Sequence, residues 1–202
     1  MKITDLIESV EGTYQGKDWY DWDGDGERDP DETVFVKKNV GEAEIYGVDM
    51  TAQLVLTDSL SLLGTFTWMD GWNITEDEPI SRGIPTNGTI RLRYVEPGKG
   101  RFWAEISSRI VATFPASKVP PSRLKKDPAF RVNPQDRKSP LLNGDGSVPG
   151  YTLFNFRCGV RISDNLKLAF GVENIFDKAY RDKDSRIDGP GRNFVLGLYA
   201  GL

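Results

Sequence analysis

The chain has 202 residues, a net charge of −4, no histidine and a single cysteine, Cys158. The acidic balance argues against nucleic acid as a partner. Without histidine the usual general base and the commonest metal ligand are missing, which argues against triad hydrolases and zinc enzymes. We predict that the chain is not an enzyme. No apolar run approaches the roughly 20 residues of a membrane-spanning helix, and we expect no signal peptide at Met1.

In chain order, the structured segments alternate apolar and polar side chains with period two, which is typical of strands that have two different faces. The pattern predicts about eight strands, the first near residues 3–9 and the last near residues 193–202. The apolar phase changes from odd to even positions at Tyr46 and Gly47, which predicts a β-bulge at that point.

The connections between these segments alternate between short and long. Short turns centre on Asp58, Gly98 and Asp164, whereas long polar loops cover residues 10–32, 70–87, 115–150 and 177–191. Bacterial outer-membrane barrels have this asymmetry, with short turns on the periplasmic side and long loops outside. We therefore expect the three turns at one end of the sheet, and at the other end the loop residues Asp23, Glu76, Lys125 and Asp184.

The two faces of the segments differ in chemistry. Tyr94 and Phe102 flank one short turn on the apolar face, which predicts an aromatic girdle, and Cys158 should face lipid. The opposite face carries charges that would line the lumen of a large barrel. Its candidate ligand-facing residues are Arg91, Arg93, Arg109, Arg157 and Arg161, interspersed with Glu105 and Glu173.

Five segments of the chain, in order, resemble TonB-dependent outer-membrane receptors. They are KITDLIE (residues 2–8), NVGEAEIYGVD (residues 39–49), VPGY (residues 148–151), GVENIFDKAYR (residues 171–181) and GPGRNF (residues 189–194). Each segment alone is a weak signal, but together they span nearly the whole chain.

The resemblance implies an all-β protein, an antiparallel up-and-down transmembrane β-barrel of 22 strands in the outer membrane of a Gram-negative bacterium. Residues 1–202 would be the C-terminal portion of that barrel, about eight strands, without the plug domain. The implied function is TonB-energised uptake of a scarce ligand such as an iron chelate, haem or cobalamin. The implied partners are outer-membrane lipid and lipopolysaccharide, the plug, TonB and the ligand, and no cofactor is required.

An acidic segment fits the calcium-loop pattern D-x-D-x-D-G-x5-E. Carboxylates at alternate positions can converge on one hard cation, and Gly26 permits the turn. Strands rather than helices adjoin the segment, and Pro30 lies within it, so a solvated acidic loop is the alternative. The candidate calcium ligands are Asp21, Asp23, Asp25, Asp29 and Glu32.

The loop of residues 115–150 is basic and could meet lipopolysaccharide phosphates or an anionic chelate. Solvation, or pairing with the acidic loop, is the simpler interpretation. Its cations are Lys118, Arg123, Lys125, Lys126, Arg131, Arg137 and Lys138.

Two other functions are compatible with the same pattern. Eight strands can close a small barrel, which could serve as an adhesin or a pore. A soluble calcium-dependent β-sandwich also has one apolar face on each sheet. Partition into detergent rather than buffer would separate the membrane proteins from the sandwich.

Overall fold

The computed structural model describes residues 2–21, 24, 26–27, 32–80, 83–119, 143, 146–185 and 187–201. The strands in these ranges are β1 (Lys2–Glu11), β2 (Phe35–Thr57), β3 (Leu60–Asn73), β4 (Glu78–Pro79), β5 (Asn87–Val95), β6 (Phe102–Val111), β7 (Tyr151–Ser163), β8 (Leu166–Glu173) and β9 (Asn193–Ala200). A 3-10 helix covers Ala116–Lys118. None of the helical segments in the described ranges has the length and apolar character needed to span a membrane.

The strands pair in chain order, as the all-β antiparallel prediction requires. The hydrogen-bonded order is β1-β2-β3-β5-β6-β7-β8-β9, and β4 pairs with β3. The strand pairs whose registers are described here are antiparallel. Short connections suffice between antiparallel neighbours, which is why the chain can run up and down without crossovers.

The chain divides into two compact units, the first comprising Met1–Tyr46 and Gly71–Ile80. In this unit β1 runs antiparallel to the start of β2, and the register shifts on both sides of the pair Leu6–Gly41. A Cβ at Gly41 would lie 2.6 Å from the Thr75 hydroxyl oxygen. That hydroxyl accepts a hydrogen bond from the Glu42 amide at 2.9 Å, so the glycine permits a close approach of backbone and side chain.

The second unit comprises Gly47–Asp70 and Ser81–Leu202 and contains the pairing of β3 with β5 and of β5 through β9. Its short turns connect β2 to β3, β5 to β6 and β7 to β8. Because neighbouring strands are antiparallel, these three turns share one end of the unit, as predicted for Asp58, Gly98 and Asp164. The connections β6–β7 and β8–β9, the latter containing Asp184, lie at the opposite end.

Cross-strand register brings the apolar side chains of neighbouring strands together on one face of this unit. A single row of directly paired residues crosses six strands and contains no polar side chain: Leu62, Leu92, Ile106, Phe156, Val172 and Phe194. Ile106 is 48% exposed and Phe194 66% exposed, so this face is not a packed interior. Apolar side chains this exposed across a whole sheet face are what a lipid environment would cover.

Tyr94, Phe102 and Cys158 lie on the apolar face, while the aromatic girdle and the contact of Cys158 with lipid stay predictions. The rings of Tyr94 and Phe102 meet beside the β5–β6 turn, with centroids 6.4 Å apart. Cys158 is a free thiol that lies opposite Ala104 on β6 and Phe170 on β8. The apolar side chains that are buried lie instead at the long-connection end, where Val111, Tyr151, Leu153 and Tyr180 form one cluster.

Several expected element boundaries were wrong. Residues 70–73, expected in a loop, continue β3, and Pro79 of β4 pairs with Trp72. Asn87, placed at the end of that loop, begins β5, while Val10 belongs to β1. Strand pairing extends wherever a partner backbone is in reach, and polar composition does not prevent it. The bulge at Tyr46 and Gly47 stays a prediction, since β2 is one strand through them.

Candidate functional site

The five arginines predicted to face the lumen all lie on the face opposite the apolar rows. Arg91 and Arg93 are on β5, Arg109 is on β6, and Arg157 and Arg161 are on β7. They sit at odd positions, and successive side chains of a strand point to opposite faces. Because the register pairs odd with odd positions across these strands, their side chains gather on one polar face.

Glu105 is the acid at the centre of this polar face. It lies directly opposite Arg93 on β5 and Arg157 on β7. Its carboxylate is 3.3 Å from the Nε of Arg91 and 3.4 Å from the Nη1 of Arg93, while its side chain is only 9% exposed. Two cations and one buried carboxylate satisfy each other without leaving the acid unpaired.

Trp103 extends this cluster toward the short-turn end. The Arg93 guanidinium lies 4.6 Å from the Trp103 ring centroid, a cation–π distance. Trp103 pairs with Gly159 on β7, where an added Cβ would lie 2.5 Å from the indole Nε1. Gly159 therefore gives the indole room to lie across the neighbouring strand. The signal available in the sequence was a large aromatic at an odd position, and it was missed.

Arg109 belongs to a second cluster, at the long-connection end. Its Nη2 lies 3.0 Å from Asp182 Oδ1, and the Tyr151 hydroxyl donates to the same carboxylate oxygen. The Arg109 guanidinium also lies 5.5 Å from the Tyr151 ring, and Tyr180 packs on Tyr151 at 4.7 Å between centroids. Asp182 is in the β8–β9 connection, where no periodic pattern could have identified it.

Asp182 and the Asn174 amide, which donates to Asn155 Oδ1 on β7, join the β8–β9 connection to the strands, and further contacts fix the connection internally. The Asn174 side-chain oxygen accepts a hydrogen bond from the Lys178 amide at 2.8 Å, and Asn174 Nδ2 donates to Pro190 at 3.2 Å. Arg181, whose side chain is 6% exposed, is paired with Asp188. Burial raises the pKa of the Tyr180 phenol, and the Asp182 carboxylate raises it further. This connection is an ordered loop held against the strands.

The last two predicted arginines differ in their surroundings. Arg157 is paired with Glu173 on β8. Arg161 lies directly opposite another cation, Lys167 on β8, and both side chains are exposed. The structure thus brings four of the five arginines into contact with acids and leaves Arg161 beside a like charge.

The acidic loop is described only in part. Asp21 accepts hydrogen bonds from the amides of Gly24 and Gly26, at 2.6 Å and 3.0 Å, so its carboxylate contacts its own loop. Glu32 is 3% exposed. Asp23, Asp25 and Asp29 lie outside the described residues, and the described ones contain no cluster of three metal-ligating side chains. Calcium binding therefore stays a prediction.

Only one cation of the basic loop can be placed. Lys118 ends the 3-10 helix, and its Nζ lies 2.9 Å from Asp70 Oδ2 on β3. The other six lie outside the described residues: Arg123, Lys125, Lys126, Arg131, Arg137 and Lys138. Contact of this loop with lipopolysaccharide or an anionic chelate stays a prediction.

Comparison with solved structures gives the same fold for this arrangement of strands. The copper transporter OprC matches with a TM-score of 0.68 and 19% identity, over 98% of this chain and 27% of that one. A variant of the ferric enterobactin receptor PfeA from Pseudomonas aeruginosa matches with a TM-score of 0.58 and 19% identity, over 98% of this chain and 27% of that one. The ferric citrate transporter FecA matches with a TM-score of 0.57 and 19% identity, over 84% of this chain and 25% of that one. The chain thus spans about a quarter of the length of each of these proteins.

No curated protein matches the sequence. The family model for the β-barrel of TonB dependent receptor-like proteins, in contrast, matches residues 1–175, most of the chain. The matched region includes β1 through β8 and every arginine of the polar face. The protein therefore belongs to the TonB-dependent receptor-like β-barrel family.

Proposed function

We propose that residues 1–202 form the C-terminal part of the barrel wall of an outer-membrane receptor that imports a scarce ligand with energy supplied through TonB. The observation that carries the proposal is the two-faced sheet. An exposed, mainly apolar face is backed by a polar face on which four of five arginines are paired with acids, in a chain of this family. Such a wall suits lipid on one side and an aqueous or plugged lumen on the other.

We assign the ligand to the class of metal ions and metal chelates. The similar structures include a copper transporter, a ferric enterobactin receptor and a ferric citrate transporter. The polar face offers guanidinium groups, which bind the carboxylate and phenolate oxygens of an anionic chelate with charge-assisted hydrogen bonds. An iron chelate is the best fit, and haem and cobalamin are the other ligands that the family resemblance implies.

The partners follow from the same proposal. Lipid and lipopolysaccharide would surround the apolar face, and a plug domain would occupy the lumen and contact TonB. In the full-length receptor, this chain would form part of the barrel wall and its loops, and the plug would close the lumen. The whole protein would reside in the outer membrane of a Gram-negative bacterium.

Uptake measurements in cells test the function. A Gram-negative strain lacking its own ferric-chelate receptors should accumulate radiolabelled iron from ferric enterobactin, ferric citrate or haem when it expresses the full-length receptor. The uptake should be lost in a matched strain without TonB, because the imported chelate must be moved against its gradient. Copper accumulation is measured in parallel as the second ligand class.

The outcomes separate the receptor from the small-barrel alternative. Uptake that persists without TonB and is not saturable would indicate a passive pore and contradict the proposal. Recovery of the protein in the soluble fraction would contradict the outer-membrane location and favour a soluble sandwich. Saturable, TonB-dependent uptake of one of these ligands supports the receptor.

A further inference from the structure

We propose that the long-connection end of the apolar face carries a binding site for a phosphate of lipid A, the phosphorylated and acylated sugar that anchors lipopolysaccharide. The site, named here the rim site, consists of Arg192 and the aromatic pair Phe154 and Phe176. The inference rests on the proposed outer-membrane location, and it deepens that proposal by assigning one lipid headgroup to particular side chains.

Arg192 stands at the edge of the apolar face. It immediately precedes β9 and is two residues before Phe194, which belongs to the apolar row and is 66% exposed. Residues two apart in an extended chain lie on the same side of it, so Arg192 borders the exposed apolar surface. This end of the unit is opposite the three short turns, and in an outer-membrane barrel it meets the outer leaflet.

Two hydrogen bonds place the Arg192 side chain beside the aromatic pair. Arg192 Nε donates to the Ile175 carbonyl at 2.8 Å, and the Ile175 amide donates to the Phe154 carbonyl at 2.9 Å. Phe176 follows Ile175, and its ring meets the Phe154 ring edge-on, with centroids 5.5 Å apart. Phe154 is on the apolar face of β7, and Phe176 is 71% exposed. A guanidinium group therefore lies next to exposed aromatic rings.

The Arg192 charge is not neutralised by an acid of the chain. In the part of the chain that the structure describes, no ion pair involves Arg192, and Asp177 accepts a hydrogen bond from its amide rather than from its guanidinium. The arginines of the polar face differ, since four of the five contact acids. With Nε held by Ile175, both Nη groups of Arg192 are available to an external anion.

The chemistry of the rim site favours a lipid phosphate. A guanidinium group binds phosphate oxygens through parallel, charge-assisted hydrogen bonds. A free anion would use the cation and leave Phe176 and Phe194 exposed, whereas a lipid with an anionic headgroup would also cover the rings with its acyl chains. Lipid A joins phosphate to acyl chains and is the anionic lipid of the outer leaflet, so it is the occupant that we assign.

Native mass spectrometry of the full-length receptor, purified in detergent, tests the rim site with lipid A as the probe. Arg192→Gln should weaken lipid A binding about tenfold, because one charge-assisted contact is lost. Arg101→Gln is the matched control, since Arg101 is an exposed arginine at the short-turn end, and this variant should bind as the wild type does. An equal loss in the two variants would indicate a general effect of net charge and overturn the proposal.

Two comparisons keep the test decisive if Arg192→Gln does not fold, which unheated gels would show. The wild type should bind lipid A about tenfold more tightly than lipid A stripped of its phosphates, and equal binding of the two would overturn the proposal. Arg192→Lys gives up the hydrogen bond to Ile175 but keeps the cation, so it should retain most of the binding. Loss of binding in a folded Arg192→Lys variant would mean that the side chain acts through Ile175 and would also overturn it.

Competition identifies the source of the phosphate. Neither phosphatidylglycerol nor inorganic phosphate in excess should displace lipid A. Displacement by the first would indicate a general phospholipid site and displacement by the second a site for a free anion, and either result contradicts the assignment. Binding in detergent does not depend on uptake, so loss of TonB-dependent uptake with lipid A binding intact would contradict the receptor and not the rim site.

Discussion

At the scale of single residues, an odd or an even position along a strand decides which face a side chain lies on and therefore what it contacts. Arg93 and Tyr94 are adjacent in sequence, yet one contacts a buried carboxylate and the other packs on an aromatic ring across the β5–β6 turn. A shift of one residue in register would exchange the two faces. Substitutions on the two faces should therefore have different and predictable effects.

Cys158 tests the lipid face. In the assembled receptor a membrane-impermeant maleimide should not label Cys158, because Ala104 and Phe170 flank it on the apolar face. A cysteine at position 107, introduced as Ser107→Cys in a Cys158→Ser background, lies on the polar face as the control and should be labelled once the membrane is permeabilised. Cys158→Arg should lower the free energy of unfolding by about 2–4 kcal/mol. Rapid labelling of Cys158 in intact membranes would contradict the face assignment.

Glu105 tests the central ion-pair cluster. Glu105→Gln should lower the free energy of unfolding of the receptor in detergent by about 1–2 kcal/mol, because it leaves two half-exposed guanidinium groups beside a neutral amide. Glu173→Gln is the control, since Glu173 and Arg157 are more exposed, at 34% and 56%, and its effect should be below about 1 kcal/mol. Urea titration measures both. A larger effect at Glu173 would mean that burial does not set the strength of these pairs.

At the scale of elements, the glycines of the strands mark where backbones approach closely. A Cβ at Gly88 on β5 would lie 2.5 Å from the Thr65 carbonyl oxygen of β3. At Gly64, on the neighbouring strand and the same face, a Cβ would meet nothing within 4 Å. Both positions hold glycine, but only Gly64 has space for a larger side chain.

Alanine at these positions gives a matched prediction. Gly88→Ala should lower stability by about 1–3 kcal/mol, because a backbone carbonyl cannot move aside without breaking the β3–β5 pairing. Gly64→Ala should be neutral or slightly stabilising, since alanine reduces the conformational entropy of the unfolded chain. The loss of the folded band on unheated gels, followed against urea, measures both. Equal effects would show that the close approach at Gly88 is not a real constraint.

The acidic loop is the element whose order should depend on a metal ion. Asp21, Asp25 and Glu32 crowd negative charge into one short segment, and a divalent cation would offset their repulsion. We expect slower proteolysis of residues 21–32 in millimolar calcium than in chelator, with an affinity on the order of 10⁻⁴–10⁻³ M. Replacing Asp23 and Asp25 by Asn should remove the difference while the barrel stays folded. Equal rates of proteolysis with and without calcium would contradict calcium binding and indicate a solvated acidic loop.

At the scale of the whole molecule, the sheet has one path with β1 and β9 at its ends. The apolar face is exposed along β9, where Leu196 is 74% and Leu198 67% exposed. Unpaired strand edges and an open apolar face are stable only when lipid and further strands cover them. Residues 1–202 expressed alone should therefore not form a soluble monomer.

Sedimentation velocity of residues 1–202, with and without detergent, measures this prediction. We expect large aggregates in buffer and a smaller, detergent-bound species in micelles. The full-length receptor, purified in detergent, is the control and should sediment as a single species. A soluble monomer with one cooperative unfolding transition would contradict the membrane interpretation of the apolar face.

The sequence by itself determined the strands, their faces and the alternation of turns and long loops. Those features are local, because side chains alternate along any extended backbone and turn residues act within a few positions. The placement of the five arginines on the polar face and of Cys158 on the apolar face followed from the alternation of odd and even positions. The family resemblance came from five segments in the strands and their connections, and the family model that matches residues 1–175 confirms it.

Only the tertiary structure decided which charges meet. Arg93 and Glu105 are 12 residues apart and meet through the β5–β6 register, while Arg109 and Asp182 are 73 residues apart. Asp182, Tyr180 and Arg181 lie in a connection without periodicity, and its folding onto the strands comes from a network of single hydrogen bonds that no sequence pattern encodes. The extension of β3 to Asn73 has the same origin, because strand pairing depends on a partner backbone within reach and not on composition.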